Sequence, residues 1–339
     1  MRPLSLCQST FSTLKNVQLA EMLTSWCKQS TADKLKSMLE IHTIDLNFQG
    51  VSNVIGSYIV KGDTGLAMIE TGPSSCLPTV KAELAKIGLK PSDIKHVLLT
   101  HIHFDHAGAA GWWASQGAHI YVHHVGAKHM IDPSRLVASA RRVYGDAMDT
   151  LWGELLPIDP ANLTQLNDGD MITVGDLEFE CLDTPGHATH HMAFRLGDVC
   201  FTGDASGTRL AGRGLIDIPA SPPEFDRPTW LKTVERLQSH NFREIYPTHF
   251  GLIGDPEAHL AEFAEFIPMI SDFMAGLMQA GKDRDQIIEA FVVWQRQRAK
   301  SAGFSESETD QYLTASPPEV SVDGIMRYWR KKWEAESDQ

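Results

Sequence analysis

The stretch Val97–Gly111, VLLTHIHFDHAGAAG, constrains this chain more than any other. His101, His103, Asp105 and His106 crowd into six positions directly behind three aliphatic residues. Burying so many polar side chains at the end of a strand is costly unless each finds a partner. A solvated polar loop is the plain reading, but the placement argues against it. The cluster follows a buried-type run and precedes Gly and Ala, which let backbone approach closely. Imidazole nitrogens and carboxylate oxygens are also the donors that zinc and similar borderline ions take.

Three further stretches repeat that context. LDTPGHATHH carries His187, VCFTGDAS carries Asp204 and EIYPTHFG carries His249. In each, an apolar strand-like run stops and a ligand-type residue follows on the next loop. Loops leaving one edge of a sheet converge on a point, whereas scattered structural histidines would not repeat this arrangement.

The remaining pattern supplies a frame. Alternating and β-branched runs predict adjacent strands at IHTIDLNF, NVIGSYIV and GLAMIE, then a helix at LPTVKAELAKIG and a buried strand at IKHVLLT. AGAAGWWASQG reads as a short helix, AHIYVHH as a strand and residues 133–156 as a largely helical excursion. Strands follow at DMITVG, LEFECLDT, HMAFRLG and DVCFTGDA, then a helix at RPTWLKTVERLQSHN and a strand at REIYPTHFG. Residues 1–38 read as an N-terminal extension, 39–254 as the catalytic body, and 255–339, with apolar residues every three or four positions, as a C-terminal helical region.

Composition narrows the partners. With 43 acidic against 30 basic residues, a net charge of −13 argues against nucleic acid and anionic membranes. No run approaches the ~18 apolar residues of a membrane span, and the N-terminus lacks the continuous apolar core of a secretory signal. The five cysteines, Cys7, Cys27, Cys76, Cys181 and Cys200, form no C-x-x-C pair, so a reducing, cytoplasmic location is expected. Cys181 and Cys200 lie in apolar runs and are read as buried hydrophobes.

On these residues, Ile41 to Gly254 resembles the metallo-β-lactamase-fold hydrolases, in the branch similar to glyoxalase II. The resemblance implies an α/β fold, an αββα sandwich of two mixed β-sheets flanked by helices, with the site along one edge. It implies that His101, His103 and His187 hold one divalent ion, that Asp105, His106 and His249 hold a second, and that Asp204 bridges them. Zinc is expected first, with iron or manganese as alternatives. A metal-bridging hydroxide would then cleave a thioester, lactone or related ester of a small molecule, with Asp105 and Asp204 as the catalytic carboxylates. The family commonly has Asp where IETGP has Glu70; the longer carboxylate is expected either to orient a ligating histidine or to brace the turn.

Other readings differ at named positions. A β-lactamase proper usually has Cys where Asp204 stands, an acyl-homoserine lactonase often has Tyr shortly after it, and flavodiiron proteins carry Glu where His103 stands. A mononuclear-iron persulfide dioxygenase and a protein with a purely structural metal are the alternatives of another class. His190, His191, His123, His124 and His129 are read as hydrogen-bonded structural residues. Candidate substrate contacts are Tyr144, Trp152 and Arg209, drawn from a wider set with Arg141, Arg142, Met148 and Arg213. By analogy with glyoxalase II, Lys331 and Lys332 are candidate anion contacts, whereas the aromatics of MRYWRKKW are read as core. The expected partner is a small-molecule ester or thioester, and a homodimer is left open.

Overall fold

Two mixed sheets arise from the short apolar runs. The computed structural model describes residues 39–209, 215–315 and 317–338; the extension at 1–38, with Cys7 and Cys27, and the candidate Arg213 lie outside them. The first sheet runs in sequence order through β1 (Glu40–Asp45), β2 (Gly56–Lys61), β3 (Leu66–Ile69), β4 (His96–Leu98), β5 (His119–His123) and β6 (Leu163–Leu166). β2 and β3 pair antiparallel, with Tyr58 opposite Ile69, while β3 through β6 pair parallel. Parallel neighbours need crossovers. These are α1 (Leu77–Lys86), then α2 (Phe104–Ala107) and α3 (Ala110–Ser115), then α4 (His124–Ile131), α5 (Ser134–Tyr144) and α6 (Met148–Leu151).

The second sheet contains β7 (Met171–Val174), β8 (Leu177–Asp183), β9 (Met192–Leu196) and β10 (Val199–Gly203). A ribbon of β11 (Thr208–Arg209) and β12 (Ile216–Asp217) follows, and α7 (Arg227–Ser239) leads into β13 (Glu244–Pro247), which joins β10 in parallel. The order is β13-β10-β9-β8-β7. Between the sheets, the Tyr58 ring meets Phe201 at 5.5 Å and Tyr246 at 5.4 Å, and its hydroxyl donates to the Pro247 carbonyl. β10 is buried along its whole length because its other face, at Cys200, packs with Trp230, Val234 and Leu237 of α7. Burial on both faces is why its sequence reads as a continuous apolar run. On the far side, Val80, Leu84 and Trp113 cover Val97, Leu99 and Ile120. The αββα sandwich expected from the sequence is the fold observed.

The helical excursion folds back over α2, where Leu136, Val137, Tyr144, Met148, Trp152 and Leu155 gather on Phe104. Its own carbonyls add to that packing. Ser74 Oγ donates to Glu154 O and Ser75 Oγ to Leu151 O, each at 2.6 Å, while Gln49 Nε2 donates to Thr150 O at 3.2 Å.

The C-terminal region comprises α8 (Pro256–Gln279), α9 (Arg284–Ser301), α10 (Glu306–Ala315) and α11 (Pro318–Ser337). Leu260, Phe263, Ile267, Ile270 and Met274 form the buried stripe of α8, at the spacing that puts residues on one helix face. Asp255 caps that helix, accepting from Ala258 N–H at 3.1 Å. The short, acidic α10 lies within the expected helical region; its Tyr312 is buried and donates to Asp217 Oδ2 at 2.6 Å. Phe263, Phe291 and Trp329 share one core with Trp230 and Ile245. Among the described residues, no helix is long and apolar enough to cross a membrane.

α11 also supports the loop after β12. Ser321 Oγ donates to Ile218 O at 2.7 Å, and a Cβ on Gly324 would overlap the Ala220 carbonyl. Gly324→Ala is therefore expected to lower stability by about 1–3 kcal/mol, measured as a fall in melting temperature. An unchanged midpoint would mean that α11 does not pack this closely.

Candidate metal centre

β4, β8, β10 and β13 each end just before a site residue, so the four sequence clusters converge at one edge of the sandwich. Three inward ring nitrogens form a triangle: His101 Nε2 to His103 Nδ1 is 2.9 Å, His187 Nε2 to His103 Nδ1 is 2.9 Å, and His187 Nε2 to His101 Nε2 is 3.2 Å. A second set faces it. His249 Nε2 lies 3.2 Å from Asp105 Oδ2, and His106 Nε2 lies 3.5 Å from the same oxygen. Asp204 stands between, with Oδ2 at 3.3 Å from His187 Nε2 and Oδ1 at 3.4 Å and 3.5 Å from His106 and His249 Nε2. All seven residues singled out by motif are brought together.

The outer nitrogens explain how the inner ones are aimed. A carbonyl or carboxylate oxygen only accepts, so His187 Nδ1 donates to Pro219 O at 2.5 Å, His249 Nδ1 to Val54 O at 2.7 Å and His106 Nδ1 to Glu70 Oε1 at 3.2 Å. His101 Nδ1 donates to Thr100 Oγ1 at 3.1 Å, because that hydroxyl gives its own proton to Glu70. Each of these four rings then directs its other nitrogen inward.

Glu70 performs both roles open to it. Fully buried, it accepts from Thr100 N–H at 3.3 Å and Thr248 Oγ1 at 3.4 Å as well as from His106, and it holds a left-handed backbone at φ 62°. A non-glycine residue keeps such a conformation only where its surroundings impose it. Gly203, directly before Asp204, has φ 52°, and a Cβ there would meet Thr100 Oγ1 at 2.5 Å and His191 Nε2 at 2.7 Å. His191 is structural: its Nδ1 donates to Thr184 Oγ1 at 2.8 Å and its Nε2 accepts from Asp204 N–H at 3.1 Å.

Electrostatics divide the two sets. Burial, reinforced by neighbouring rings, lowers His101 well below its ordinary value and His103 to about 3, and burial lowers His187, so these rings are neutral with free lone pairs. Burial opposes charge on His106 and His249 too, but Asp204 and Asp105 outweigh it and raise both. The same histidines overcome burial to hold the Asp105 and Asp204 carboxyls low.

The donor set fits two cations. His106 Nε2 and Asp204 Oδ1 are buried with no hydrogen-bond partner, a costly state for polar atoms unless a charge completes them. His101, His103 and His187 could hold one ion, and Asp105, His106 and His249 another.

The other candidates are placed as follows. Tyr144 and Trp152 lie beside Phe104, within one residue of Asp105. Arg209 N–H donates to His249 O at 2.5 Å, but its guanidinium pairs with Glu262 of α8. Arg141 pairs with Asp149 at 2.7 Å. Lys331 and Lys332 are exposed on α11, with Lys332 Nζ 4.7 Å over the Trp329 ring. Trp329 is core, donating to Ser271 O at 2.9 Å. His123 accepts from Val125 N–H at 3.1 Å and caps α4, as a structural histidine would. His190 pairs with Glu224 at 3.1 Å beside His103. Sequence reasoning passed over Glu224, Thr100, Thr248 and the Val54 and Pro219 carbonyls. Backbone acceptors leave no sequence signal, and threonines at strand ends are too common to stand out.

Comparison with known proteins agrees with this geometry. The family model described as the metallo-beta-lactamase superfamily matches residues 54–249, a span that contains all seven converging residues. A probable polyketide biosynthesis zinc-dependent hydrolase of Bacillus subtilis is 25% identical over 62% of this chain and 80% of its own. An atrochrysone carboxyl ACP thioesterase of Cryptosporiopsis sp. is 24% identical over 69% of this chain and 58% of its own. The crystal structure of a metallo-beta-lactamase family protein from Thermus thermophilus has the same fold, with a TM-score of 0.64 and 21% identity, covering 88% of this chain and 94% of that one.

Two outcomes follow. Glu70→Ala strands several buried donors and should cost about 3 kcal/mol or more, with reduced metal retention; unchanged melting and metal content would remove Glu70 from the support. With metal chelated, the stability that cationic His106 and His249 contribute is complete below their ordinary value of 6.5 and is lost as pH rises through their raised values. Melting temperature of the chelated protein should therefore fall as pH rises above 6.5, through the raised values of the two rings; a flat or rising profile would show those rings neutral.

Proposed function

We propose that this chain, which belongs to the metallo-beta-lactamase superfamily, is a binuclear metal-dependent hydrolase of the glyoxalase II-like kind, cleaving the thioester or related ester of a small molecule. One observation carries the reading: a single buried carboxylate, Asp204, turns its two oxygens toward two separate sets of ring nitrogens. On this reading His101, His103 and His187 hold one ion, Asp105, His106 and His249 the other, and Asp204 both. Zinc suits a set of imidazoles and carboxylates without thiolates. Two bound divalent cations would supply a water acidified toward neutral pH and a Lewis acid for the carbonyl.

The chain's own residues do the rest. The outer N–H bonds to Pro219, Val54, Thr100 and Glu70 fix the rings, so little reorganisation accompanies the reaction. Asp105 is the accessible carboxylate, with its side chain 23% exposed against 3% for Asp204. A proton exchanging with solvent is therefore passed at Asp105 Oδ. Asp204, enclosed and tied at its N–H to His191, serves as a ligand alone. Thioesters are favoured over β-lactams because Asp204 occupies the position where β-lactamases usually have Cys. The thioesterase named among the relatives points the same way.

Metal analysis coupled to a panel of acyl-glutathione, acyl-CoA, acyl-carrier-protein, lactone and β-lactam substrates tests this. Two ions per chain and thioester hydrolysis are expected. Oxygen consumption with one iron per chain would establish the persulfide dioxygenase alternative instead. Asp204→Ala should abolish turnover and lower metal content, and full activity with full occupancy would refute the assignment.

A further inference from the structure

Four aromatic rings stand beside the site and take no part in the ligand network. Trp152 lies at their centre, 5.5 Å from Phe48, 5.7 Å from Phe104 and 5.3 Å from Tyr144. Phe48 and Phe104 are buried behind, whereas Trp152 and Tyr144 keep partial exposure. Phe104 sits in the chain between His103 and Asp105, so the cluster abuts the open side of the site, where Asp105 itself is reachable. The Trp152 indole N–H is buried and has no hydrogen-bond partner, which is unusual for a tryptophan packed among other rings. Arg141 is engaged with Asp149 and Arg209 with Glu262. What this flank presents beside the site is ring faces.

From this we infer that Trp152 and Tyr144 form the wall that binds the acyl group of the substrate, and that this group is an aromatic or extended apolar acyl chain. The inference rests on the thioester reading. In the reaction the acyl C–S bond breaks, a C–O bond forms to the oxygen of water, and the released thiol and carboxylic acid take up the two hydrogens of that water. An acyl body lying on Trp152 places its carbonyl near Asp105, since Phe104 contacts the one and neighbours the other. A small polar acyl group would leave the ring faces wet.

Aryl-acyl and acetyl thioesters of one short thiol, assayed side by side, provide the test. The unsubstituted enzyme should favour benzoyl over acetyl in kcat/KM by roughly tenfold or more. Trp152→Ala should erase that ratio. Trp152→Phe, which keeps a ring, should retain it. Metal content and melting temperature, unchanged in Trp152→Phe, separate this effect from damage to the site. Equal turnover of acetyl and benzoyl thioesters, or a ratio that survives Trp152→Ala, overturns the inference while leaving the hydrolase reading intact. If no thioester is turned over, that reading fails on its own. Calorimetric titration with benzoate and acetate then decides the wall: Trp152-dependent binding of benzoate alone supports it, and equal binding or none rejects it.

Discussion

An imidazole ring has two nitrogens on opposite sides, and the whole site depends on which way round they are held. His101, His106, His187 and His249 each donate the outer N–H to an oxygen, of Thr100, Glu70, Pro219 and Val54 respectively. Because those oxygens are themselves fixed by backbone or by burial, the inner nitrogens have one direction available. Glu70 binds this arrangement together: its carboxylate receives protons from residues at the end of β4, from α2 and from the end of β13. A shorter Asp from the same left-handed position would have to be reached by the same donors, which is a physical reason for Glu70's length to matter.

Much of this was legible in the sequence, and for a definite reason. A metal-type residue after an apolar run is a local pattern, and four repetitions of it implied convergence without any distance being known. The strands at HVLLT, VCFTG and EIYP were legible because burial on both faces forces continuous apolar runs. Less visible were short or acidic elements. β6 has four residues, paired with β5, and α10 is acidic, with its Tyr312 bonded to Asp217. The ribbon of β11 and β12 has only two residues in each strand. The carbonyls of Val54 and Pro219 could not be found at all, since every residue has one.

The C-terminal helices take part in the site at one remove. Ser321 and Gly324 of α11 pack on residues 218–220, and it is Pro219 that orients His187. His249, by contrast, is oriented by Val54, in the loop after β1. The two ligand sets therefore answer to different parts of the chain, and strain applied at α11 would reach His187 before it reached His249.

The helical excursion offers a different kind of independence. Ser74, Ser75 and Gln49 hold it by gripping the carbonyls of residues 150, 151 and 154, atoms that any amino acid presents. These three bonds do not depend on the side chains of residues 150, 151 and 154, so the excursion keeps part of its seat whichever rings it packs on Phe104. None of the seven converging ligand-type residues belongs to it. What such a protein accepts and how it performs its chemistry can thus be carried by separate sets of side chains, one on the excursion and the other on the loops that follow the strands.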